Sequence, residues 1–453
     1  WLKVSAQESI SFSGSWESLP NMHSVSNDVH SSSLSCCVPS RDKDLARPHV
    51  PAHRCFSSFQ HSPSHGVAAR PIRAGAALFI LLLALTASTA DGTIFEDKSP
   101  CLELRGKGKK ALVTGVTGML GSHVAEALLD RGYEVYGVVR ARSNRRNIAT
   151  FATRIHVVVA DLIDPWRTVS VLESTQPDYI FHFAAQAFNG MSYDEPAHTL
   201  DTNIMSTLNL LEGVRKLKHF KDVRILIAGS STVYGASTEQ WDGPIPESAP
   251  LQPVSPYGVS KVATETLALQ YARTYGLQVI VPRFFIHLAP RGVEALALHE
   301  FARQIALIEA GLAEPVVRHG DISTHRDITD IVDSAPVVAC LAEVAPSGTV
   351  VNLGSNMSYS MEDLLRQAVS LSKSSKKIQL QLDSSRLRAY DERVVLADIT
   401  ALKNITGWKP QPNIQHLIGL LLQYWRHEIS FRHPIDATSA PSETTPRVAN
   451  PEL

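Results

Sequence analysis

Two groups of residues in this 453-residue chain have types and spacings that could support chemistry. Gly115, Gly118 and Gly121 leave the backbone open, so that a phosphate could approach it closely. Far downstream, Tyr257 and Lys261 stand four residues apart and would share one face of a helix. Each motif alone is a weak signal. In this order, the two indicate a bound nicotinamide dinucleotide next to a proton-donating phenol.

The pair Tyr257 and Lys261 predicts acid–base chemistry near neutral pH. A nearby ammonium group and an oxidised nicotinamide both favour the phenolate, so we expect a lowered pKa for Tyr257. Lys261 could also bind the hydroxyls of the nicotinamide ribose. Residues 228–235 follow a predicted strand, and a hydroxyl among them could hydrogen-bond a substrate carbonyl. The alternative is a turn closed by serine and threonine side chains.

The surrounding pattern alternates short apolar strands with helices. Strands are predicted near residues 111–114, 133–139, 155–160, 179–184, 223–229 and 277–282, and helices near 120–131, 199–217 and 260–275. This order predicts an α/β fold, a Rossmann-type doubly wound parallel sheet. After about residue 285 the alternation weakens. Helices predicted near 295–310, 331–344 and 361–371 then indicate a smaller, mixed α/β C-terminal substrate domain.

The domain prediction has four parts. Residues 1–107 form a low-complexity extension, 108–285 the dinucleotide-binding domain, 286–430 the substrate-binding domain with some segments returning to the sheet, and 431–453 a disordered tail. The apolar segment 74–90 follows a basic flank, as in a signal peptide or a membrane anchor. Untranslated sequence read as protein is the alternative. The chain begins at Trp1, which indicates a fragment, a processed form or an over-extended gene prediction.

Charge and cysteine usage exclude two classes of site. The net charge is −1 and no basic stripe stands out, so nucleic acid is not an expected partner. Four of the five cysteines precede the glycine motif, and Cys340 is alone in the body. We therefore expect neither a disulfide framework nor a zinc cluster in the body, and no metal site.

Arginines stand where a site for NAD usually has an acidic residue. Arg140 ends the second predicted strand, and Arg142, Arg145 and Arg146 follow it. Because guanidinium groups attract a 2′-phosphate, the sequence favours NADP(H) over NAD(H). A solvated basic loop is the alternative. Asp161 follows the third strand and could accept a hydrogen bond from the adenine amino group, or it could cap a helix.

Taken together, residues 108–428 resemble the extended short-chain dehydrogenase/reductase family, also called the NAD-dependent epimerase/dehydratase family. Within it, the chain is most similar to the branch of GDP-mannose 4,6-dehydratases and GDP-4-dehydro-6-deoxy-D-mannose reductases. The stretches that carry the resemblance are Phe183-Ala184-Ala185-Gln186, Thr202-Asn203, Pro282-Arg283-Phe284-Phe285, Arg326-Asp327-Ile328-Thr329-Asp330, Arg386-Leu387-Arg388 and Gly407-Trp408-Lys409-Pro410.

The resemblance implies a complete set of site residues. The catalytic residues would be Ser230, Tyr257 and Lys261. The cofactor contacts would be Gly115, Thr117, Gly118, Met119, Gly121, Arg140, Asp161, Leu162, Ala184, Ala185, Tyr257 and Lys261. The substrate contacts would be Gln186, Ser231, Thr232, Arg326, Arg388 and Asp391. In this set the two arginines match residues that bind the substrate diphosphate and the aspartate matches one near the nucleotide ribose; surface ion pairs are the alternative.

One position separates two reactions within the family. Family dehydratases have an acidic residue two positions before Tyr234, where this chain has Thr232 beside Ser231. Reduction of a ketone needs only a hydride and one proton. The sequence therefore favours NADPH-dependent reduction of a GDP-4-keto-6-deoxyhexose to a GDP-6-deoxyhexose such as GDP-D-rhamnose. A dehydratase or 4-epimerase is the first alternative, and a non-catalytic NADP-binding module is an alternative of another class.

Two residues depart from the family pattern. Ile286 stands where the family usually has an asparagine that binds the substrate phosphate, and Ala289 where it has a glycine. The resemblance also implies a homodimer, in which Leu208, Leu211 and Leu267 could provide apolar contacts; core packing is the alternative. It implies a cytoplasmic location, unless segment 74–90 directs the chain to the ER or the Golgi.

Overall fold

The computed structural model describes residues 95–103, 105–388, 390–411 and 413–432. The main feature of these residues is an eight-stranded sheet. Its strands are β1 (Lys110–Thr114), β2 (Glu134–Val139), β3 (His156–Val159), β4 (Tyr179–His182), β5 (Arg224–Ile227), β6 (Gly229–Ser230), β7 (Gln278–Phe284) and, later in the chain, β11 (Thr349–Leu353). The apolar segment 74–90 and the tail from residue 433 lie outside the described residues.

The order of the sheet is β11-β7-β5-β4-β1-β2-β3, with β6 beside β7, and the neighbouring strands run parallel. Residues 111–113 of β1 are fully buried, as expected for a central parallel strand with helices on both faces. The strand order reverses between β1 and β4, which opens a crevice at the carboxyl ends of these strands. The prediction of a doubly wound parallel sheet is confirmed.

The helices around this sheet are α1 (Met119–Asp130), α2 (Pro165–Thr175), α3 (Asn189–Asp194), α4 (Pro196–Arg215) and α5 (Pro256–Tyr275). Helix α5 begins four residues before the expected start. The Ser255 hydroxyl caps it by accepting a hydrogen bond from Gly258 N at 3.1 Å, and the proline suits the first turn because it needs no N–H partner there. Tyr257 therefore lies within the same helix as Lys261.

The remaining elements are not strands of this sheet, although α7 and α9 pack against it. The helices are α6 (Ala297–Glu309), α7 (Ile331–Val344), α8 (Met361–Ser370), α9 (Thr400–Thr406) and α10 (Ile414–Arg432). The strands are β8 (Ile286–Leu288), β9 (Val316–His319), β10 (His325–Asp330), β12 (Ser358–Ser360), β13 (Gln379–Leu382) and β14 (Val394–Val395). Strands β12, β10, β14 and β8 form a second sheet, and β13 pairs with β9. The described residues fall within one compact unit, so the domain boundary at residue 285 stays a prediction.

Residues 95–103, which the sequence assigned to the extension, pack against the body. Cys101 forms a disulfide with Cys340 of α7, with the two Cα atoms 5.3 Å apart. Arg131 Nη1 donates to the Cys101 carbonyl at 3.0 Å and pairs with Glu343 of α7. The sequence predicted no disulfide framework within the body, where Cys340 is alone; it did not predict that the fold brings a cysteine from before the glycine motif onto α7.

Two features are absent from the described ranges. No helix in them is long and apolar enough to cross a membrane. Nor do three or more His, Cys, Asp or Glu side chains of these residues come together as a metal site.

Candidate active site

The loop between β1 and α1 requires glycine because its backbone packs closely against neighbouring backbone atoms. Gly115 has a φ of 68°, and a Cβ atom there would lie 2.8 Å from Ala184 N. A Cβ atom at Gly121 would lie 2.3 Å from the Gly115 carbonyl oxygen. Gly118 precedes α1, and no side chain caps that helix. The backbone N–H groups and the helix dipole can therefore bind an anion, so the loop fits the pyrophosphate of a dinucleotide.

The arginines after β2 fall into two groups. Arg140, Arg142 and Arg145 are exposed and have no ion-pair partner in the described part of the chain. Arg146 instead pairs with Glu428 of α10. Three guanidinium groups at the end of β2 are thus available for a phosphate group.

The loop after β3 carries the candidate adenine contact. Asp161 is exposed, and its Oδ1 accepts a hydrogen bond from Ile163 N at 3.1 Å. Helix α2 is capped by Asp164, so the alternative reading of Asp161 as the helix cap is wrong. Asn209 of α4 donates to the carbonyls of Leu162 and Ile163 at 2.9 and 2.8 Å. It holds this loop in place and was not predicted from the sequence.

A buried histidine fixes the end of β4 beside the glycine loop. Thr114 Oγ1 accepts hydrogen bonds from Phe183 N and Ala184 N, both at 3.1 Å. Its own proton is therefore left for His182 Nδ1, which lies 2.9 Å away. Burial lowers the pKa of His182 to about 3, so the ring is neutral. Ala184 and Ala185 remain partly exposed at the crevice, as the cofactor prediction requires.

Gln186 is committed to contacts within the protein. Its Oε1 accepts from Phe188 N at 2.5 Å, and its Nε2 donates to Thr199 Oγ1 at 3.0 Å. Its backbone N donates to Asn203 Oδ1 at 2.7 Å, and Asn203 also reaches Ser260 Oγ at 2.9 Å. These bonds tie the end of β4 to α4 and α5. The role of Gln186 in substrate binding stays a prediction.

The three predicted catalytic residues come together at the crevice. Ser230 ends β6, and its hydroxyl is hydrogen-bonded to Tyr257 in the first turn of α5. Lys261 follows one helical turn later, with its Nζ 5.7 Å from the centre of the Tyr257 ring. The same Nζ donates to the Ala228 carbonyl at 2.8 Å. The arrangement places a hydroxyl, a phenol and an ammonium group side by side.

Burial shifts two pKa values at this site. Burial raises the pKa of Tyr257 to about 12, although its hydrogen bond with Ser230 acts in the opposite direction. Burial also lowers the pKa of Lys261 to about 8. The pKa of Tyr257 rises because burial of the phenol outweighs the one hydrogen bond that favours its charged form. The protein by itself thus raises this pKa, and the lowering expected from Lys261 together with an oxidised nicotinamide stays a prediction.

The two residues after Ser230 carry hydroxyl groups, although a family dehydratase has an acidic residue at the second of these positions. Thr232 Oγ1 donates to Ser230 Oγ at 2.9 Å, and both Ser231 and Thr232 are partly exposed. Among the described residues, no carboxylate contributes to the shift of the Tyr257 pKa. The site can therefore protonate a carbonyl oxygen, and within the described ranges the side chain that influences the phenol is the neutral Ser230 hydroxyl.

Behind the catalytic residues lies a buried polar network that the sequence did not reveal. Arg283 of β7 forms a two-point ion pair with Glu265 of α5, at 2.6 and 2.9 Å. It also donates to the Tyr234 hydroxyl at 2.8 Å, which in turn donates to Asn352 Oδ1 at 2.6 Å. Because Glu265 lies one turn after Lys261, the network fixes α5 against the sheet and against the turn after Ser230. The one sequence signal was Arg283, a charged residue in the largely apolar strand β7.

The three residues predicted to bind the nucleotide part of the substrate also lie together. Arg326 of β10 is buried and pairs with Asp391 at 2.5 Å, and Arg388 lies 3.5 Å from the same carboxylate. The ion pairs considered as the alternative are thus present in the structure. Their role in binding a diphosphate stays a prediction.

The two departures from the family pattern occupy ordinary backbone. Ala289 is fully buried and does not have a positive φ, so a glycine is not needed there. The left-handed conformation falls instead on Arg291, with a φ of 76°. Ile286 in β8 lies opposite Ile328 and packs into the apolar core of the second sheet.

Comparison with known proteins places this site in a family. The profile of the GDP-mannose 4,6 dehydratase family matches residues 112–420. The chain belongs to the GDP-mannose 4,6 dehydratase family. Members of this family are enzymes of the NAD(P)-dependent oxidoreductase type that process nucleotide sugars. The glycine loop and the trio of Ser230, Tyr257 and Lys261 lie within the matched range.

Individual relatives within the GDP-mannose 4,6 dehydratase family carry two different names. The GDP-6-deoxy-D-mannose reductase of Pseudomonas aeruginosa is 29% identical, over 71% of this chain and 98% of its own length. The GDP-mannose 4,6-dehydratase sdnI of Sordaria araneosa is 27% identical over 68% of this chain, which spans only 60% of that protein. The structure of RMD from Pseudomonas aeruginosa complexed with NADPH covers 71% of this chain and aligns over 99% of its own, with a TM-score of 0.60 and 27% identity.

Proposed function

We propose that this protein reduces a GDP-4-keto-6-deoxyhexose with NADPH and yields a GDP-6-deoxyhexose of the GDP-D-rhamnose type. The observation that carries the proposal is the hydrogen bond from Thr232 to Ser230, because it puts a neutral hydroxyl where water elimination needs a carboxylate.

The residues of the crevice have defined roles in this reaction. Bound NADPH supplies a hydride. Ser230 donates a hydrogen bond that orients the substrate carbonyl, and Tyr257 gives its proton to the carbonyl oxygen. Lys261 stabilises the phenolate that remains, because its ammonium group lies close to the ring. Together, the hydride and the proton turn the ketone into an alcohol with no further reactant.

Cofactor and substrate selection follow from two groups of arginines. Arg140, Arg142 and Arg145 have no ion-pair partner among the described residues, and we assign them to the 2′-phosphate of NADP(H). We assign Arg326 and Arg388 to the diphosphate of the GDP-sugar, which would compete with Asp391 for their guanidinium groups.

A 4,6-dehydratase is the second candidate. The family carries the dehydratase name, and relatives named as dehydratases are as similar as the reductase, at 27 to 35% against 29% identity. That reaction would need an acid–base group other than Ser231 and Thr232, and it would return its hydride without net loss of NADPH.

The deciding experiment offers the full chain NADPH together with GDP-mannose that a known 4,6-dehydratase has converted to the keto-sugar, beside untreated GDP-mannose. We expect NADPH oxidation with the keto-sugar only. Conversion of untreated GDP-mannose without NADPH loss would establish the dehydratase instead. Binding of NADPH with no turnover of either sugar would favour the non-catalytic module.

A homodimer remains a proposal, but the residues that we propose at its interface differ from those expected from the sequence. Leu211 is fully buried, and Leu208 and Leu267 pack against the same core cluster, so these three leucines serve core packing. Met205 on α4 and Val259 on α5 are exposed and replace them as the proposed contacts. Sedimentation of wild type and of Met205→Glu tests this, and a dimer that is unchanged by the substitution would exclude that face.

A further inference from the structure

Arg146 differs from the other arginines of the loop at residues 140–148, here called the arginine loop, because a buried carboxylate holds it. Its guanidinium group pairs with Glu428 of α10, whose side chain is only 3% exposed. The guanidinium carbon also lies 5.0 Å from the centre of the exposed Phe431 ring on the same helix. The C-terminal helix thus reaches across to the cofactor-binding end of the sheet.

The next residue ties the same turn to the glycine loop. Asn147 Nδ2 donates to the Thr117 carbonyl at 2.9 Å and to the Arg291 carbonyl at 3.0 Å. Thr117 belongs to the loop that fits the pyrophosphate. The short 3-10 turn Arg146–Ile148 is therefore bound to α10 on one side and to the glycine loop on the other.

The charge on Glu428 explains why Arg146 stays with α10. A buried carboxylate is costly without a cationic partner, and the other basic side chains near it, Arg432 and His427, lie further away at 3.7 and 4.0 Å. Arg146 is therefore committed to Glu428. The other three arginines of the loop remain free for a ligand.

We propose that Glu428 is a positioning residue for cofactor selectivity. By holding Arg146 it fixes the turn that carries the arginine loop, and so keeps Arg140, Arg142 and Arg145 in place for the 2′-phosphate of NADP(H). The inference rests on the proposed preference for NADP(H) and does not depend on which sugar is reduced. Glu428 influences NADH binding little, since NADH has no phosphate at that position.

The test measures the dissociation constants of NADPH and NADH by their fluorescence, in the full chain without substrate. Glu428→Gln removes the charge and keeps the shape. We expect NADPH binding to weaken about tenfold and NADH binding to change less than about twofold. Glu428→Asp should recover part of the NADPH affinity. Arg146→Met breaks the pair from the other side and should give the same loss of selectivity, even if Glu428→Gln folds poorly.

The matched control lies two residues earlier on the same helix. Arg426→Gln breaks the ion pair of Arg426 with Glu309, at 2.7 Å, which faces away from the arginine loop. It should leave both dissociation constants unchanged. An equal loss for the two cofactors, or the same loss in Arg426→Gln, would mean that α10 only stabilises the fold. Tighter NADPH binding by Glu428→Gln would mean that Arg146 itself binds the phosphate, which overturns the proposal.

Comparing wild type with Glu428→Gln also distinguishes a failure of the role of Glu428 from a failure of the proposed preference for NADP(H). If the wild type binds NADPH and NADH equally well, the preference for NADP(H) is wrong and the role of Glu428 falls with it. If the wild type prefers NADPH and Glu428→Gln keeps that preference, only the role of Glu428 is wrong. Neither result tests the reductase reaction, which is measured by NADPH oxidation.

Discussion

The Thr232 hydroxyl lies 2.9 Å from the Ser230 hydroxyl and donates a hydrogen bond to it. Ser230 is in turn hydrogen-bonded to Tyr257, so three hydroxyls form a chain that ends at the proposed proton donor. Each member is neutral near pH 7. The chain can orient a carbonyl and deliver a proton, but it cannot provide the anionic base that removal of a sugar C–H proton requires.

The first prediction concerns Thr232→Val, which keeps the shape and removes the hydroxyl. We expect kcat for the keto-sugar to fall about tenfold, because Ser230 loses the donor that orients it. The NADPH dissociation constant should not change. Thr400→Val, at an exposed threonine on α9, is the control and should behave like the wild type. An unchanged kcat in Thr232→Val would remove Thr232 from the site.

Tyr257→Phe tests the proton donor itself. We expect kcat to fall by about a thousandfold, within the usual range for loss of a general acid, while NADPH still binds. Tyr275→Phe, at the exposed end of the same helix, is the matched control. Stopped-flow absorbance at the nicotinamide band separates the chemical step from binding. Retention of more than about a tenth of the activity would contradict the role of Tyr257.

The buried ammonium group of Lys261 should make stability depend on pH. Its pKa is lowered from 10.5 in the unfolded chain to about 8 in the fold. Below pH 8 the group is charged in both states, and the cost of burying the charge is at its full value. Between about 8 and 10.5 the folded protein has lost this proton and the unfolded chain has kept it, so this contribution to stability rises with pH.

Lys261→Met removes that dependence. We expect the variant to be more stable than the wild type at pH 7, and its advantage in free energy of unfolding to shrink by about 3 kcal/mol by pH 11. Urea unfolding of both proteins at a series of pH values measures the difference. A constant difference across the series would show that burial does not shift the pKa of Lys261.

Arg326→Met should act on the substrate alone. We expect KM for the GDP-sugar to rise at least about tenfold, because the diphosphate loses a guanidinium partner, with NADPH binding unchanged. Asp391→Asn removes the ion-pair partner of Arg326 but keeps its guanidinium group, and its KM is compared with that of Arg326→Met. Arg366→Gln removes an exposed helix ion pair and serves as the control. Equal KM values for Arg326→Met and wild type would leave Arg326 a structural residue.

The disulfide between Cys101 and Cys340 should stabilise the protein. It closes a loop with a sequence separation of 239 residues, and loss of such a crosslink typically costs about 2 to 5 kcal/mol. We expect dithiothreitol to lower the free energy of unfolding of the wild type but not of the Cys101→Ala/Cys340→Ala double variant. Peptide mapping after thiol labelling without reductant checks the bond. Labelled Cys101 or Cys340 would show that it does not form.

Several parts of the site could be read from the chain because they are local. The glycine spacing fixes a strand–turn–helix unit, and the four-residue spacing of Tyr257 and Lys261 holds once both residues lie in a helix. The starts of helices were predicted less accurately. Helix α5 begins at Pro256 because the Ser255 side chain caps it, and the pattern of apolar residues does not indicate such a hydrogen bond. Leu211 was a surface candidate only until the packing of α4 buried it.

The sequence by itself determined the parallel sheet and predicted the pairing of Tyr257 with Lys261, because these depend on periodicity and on residue types at short spacing, whereas the role of Ser230 stays a prediction from the family resemblance. Only the tertiary structure decided which distant groups meet: Cys101 with Cys340, Glu265 with Arg283, and Glu428 with Arg146. It also decided the direction of the Tyr257 pKa shift. The physical reason is that burial and ion pairing depend on the whole packed neighbourhood, which no local spacing specifies.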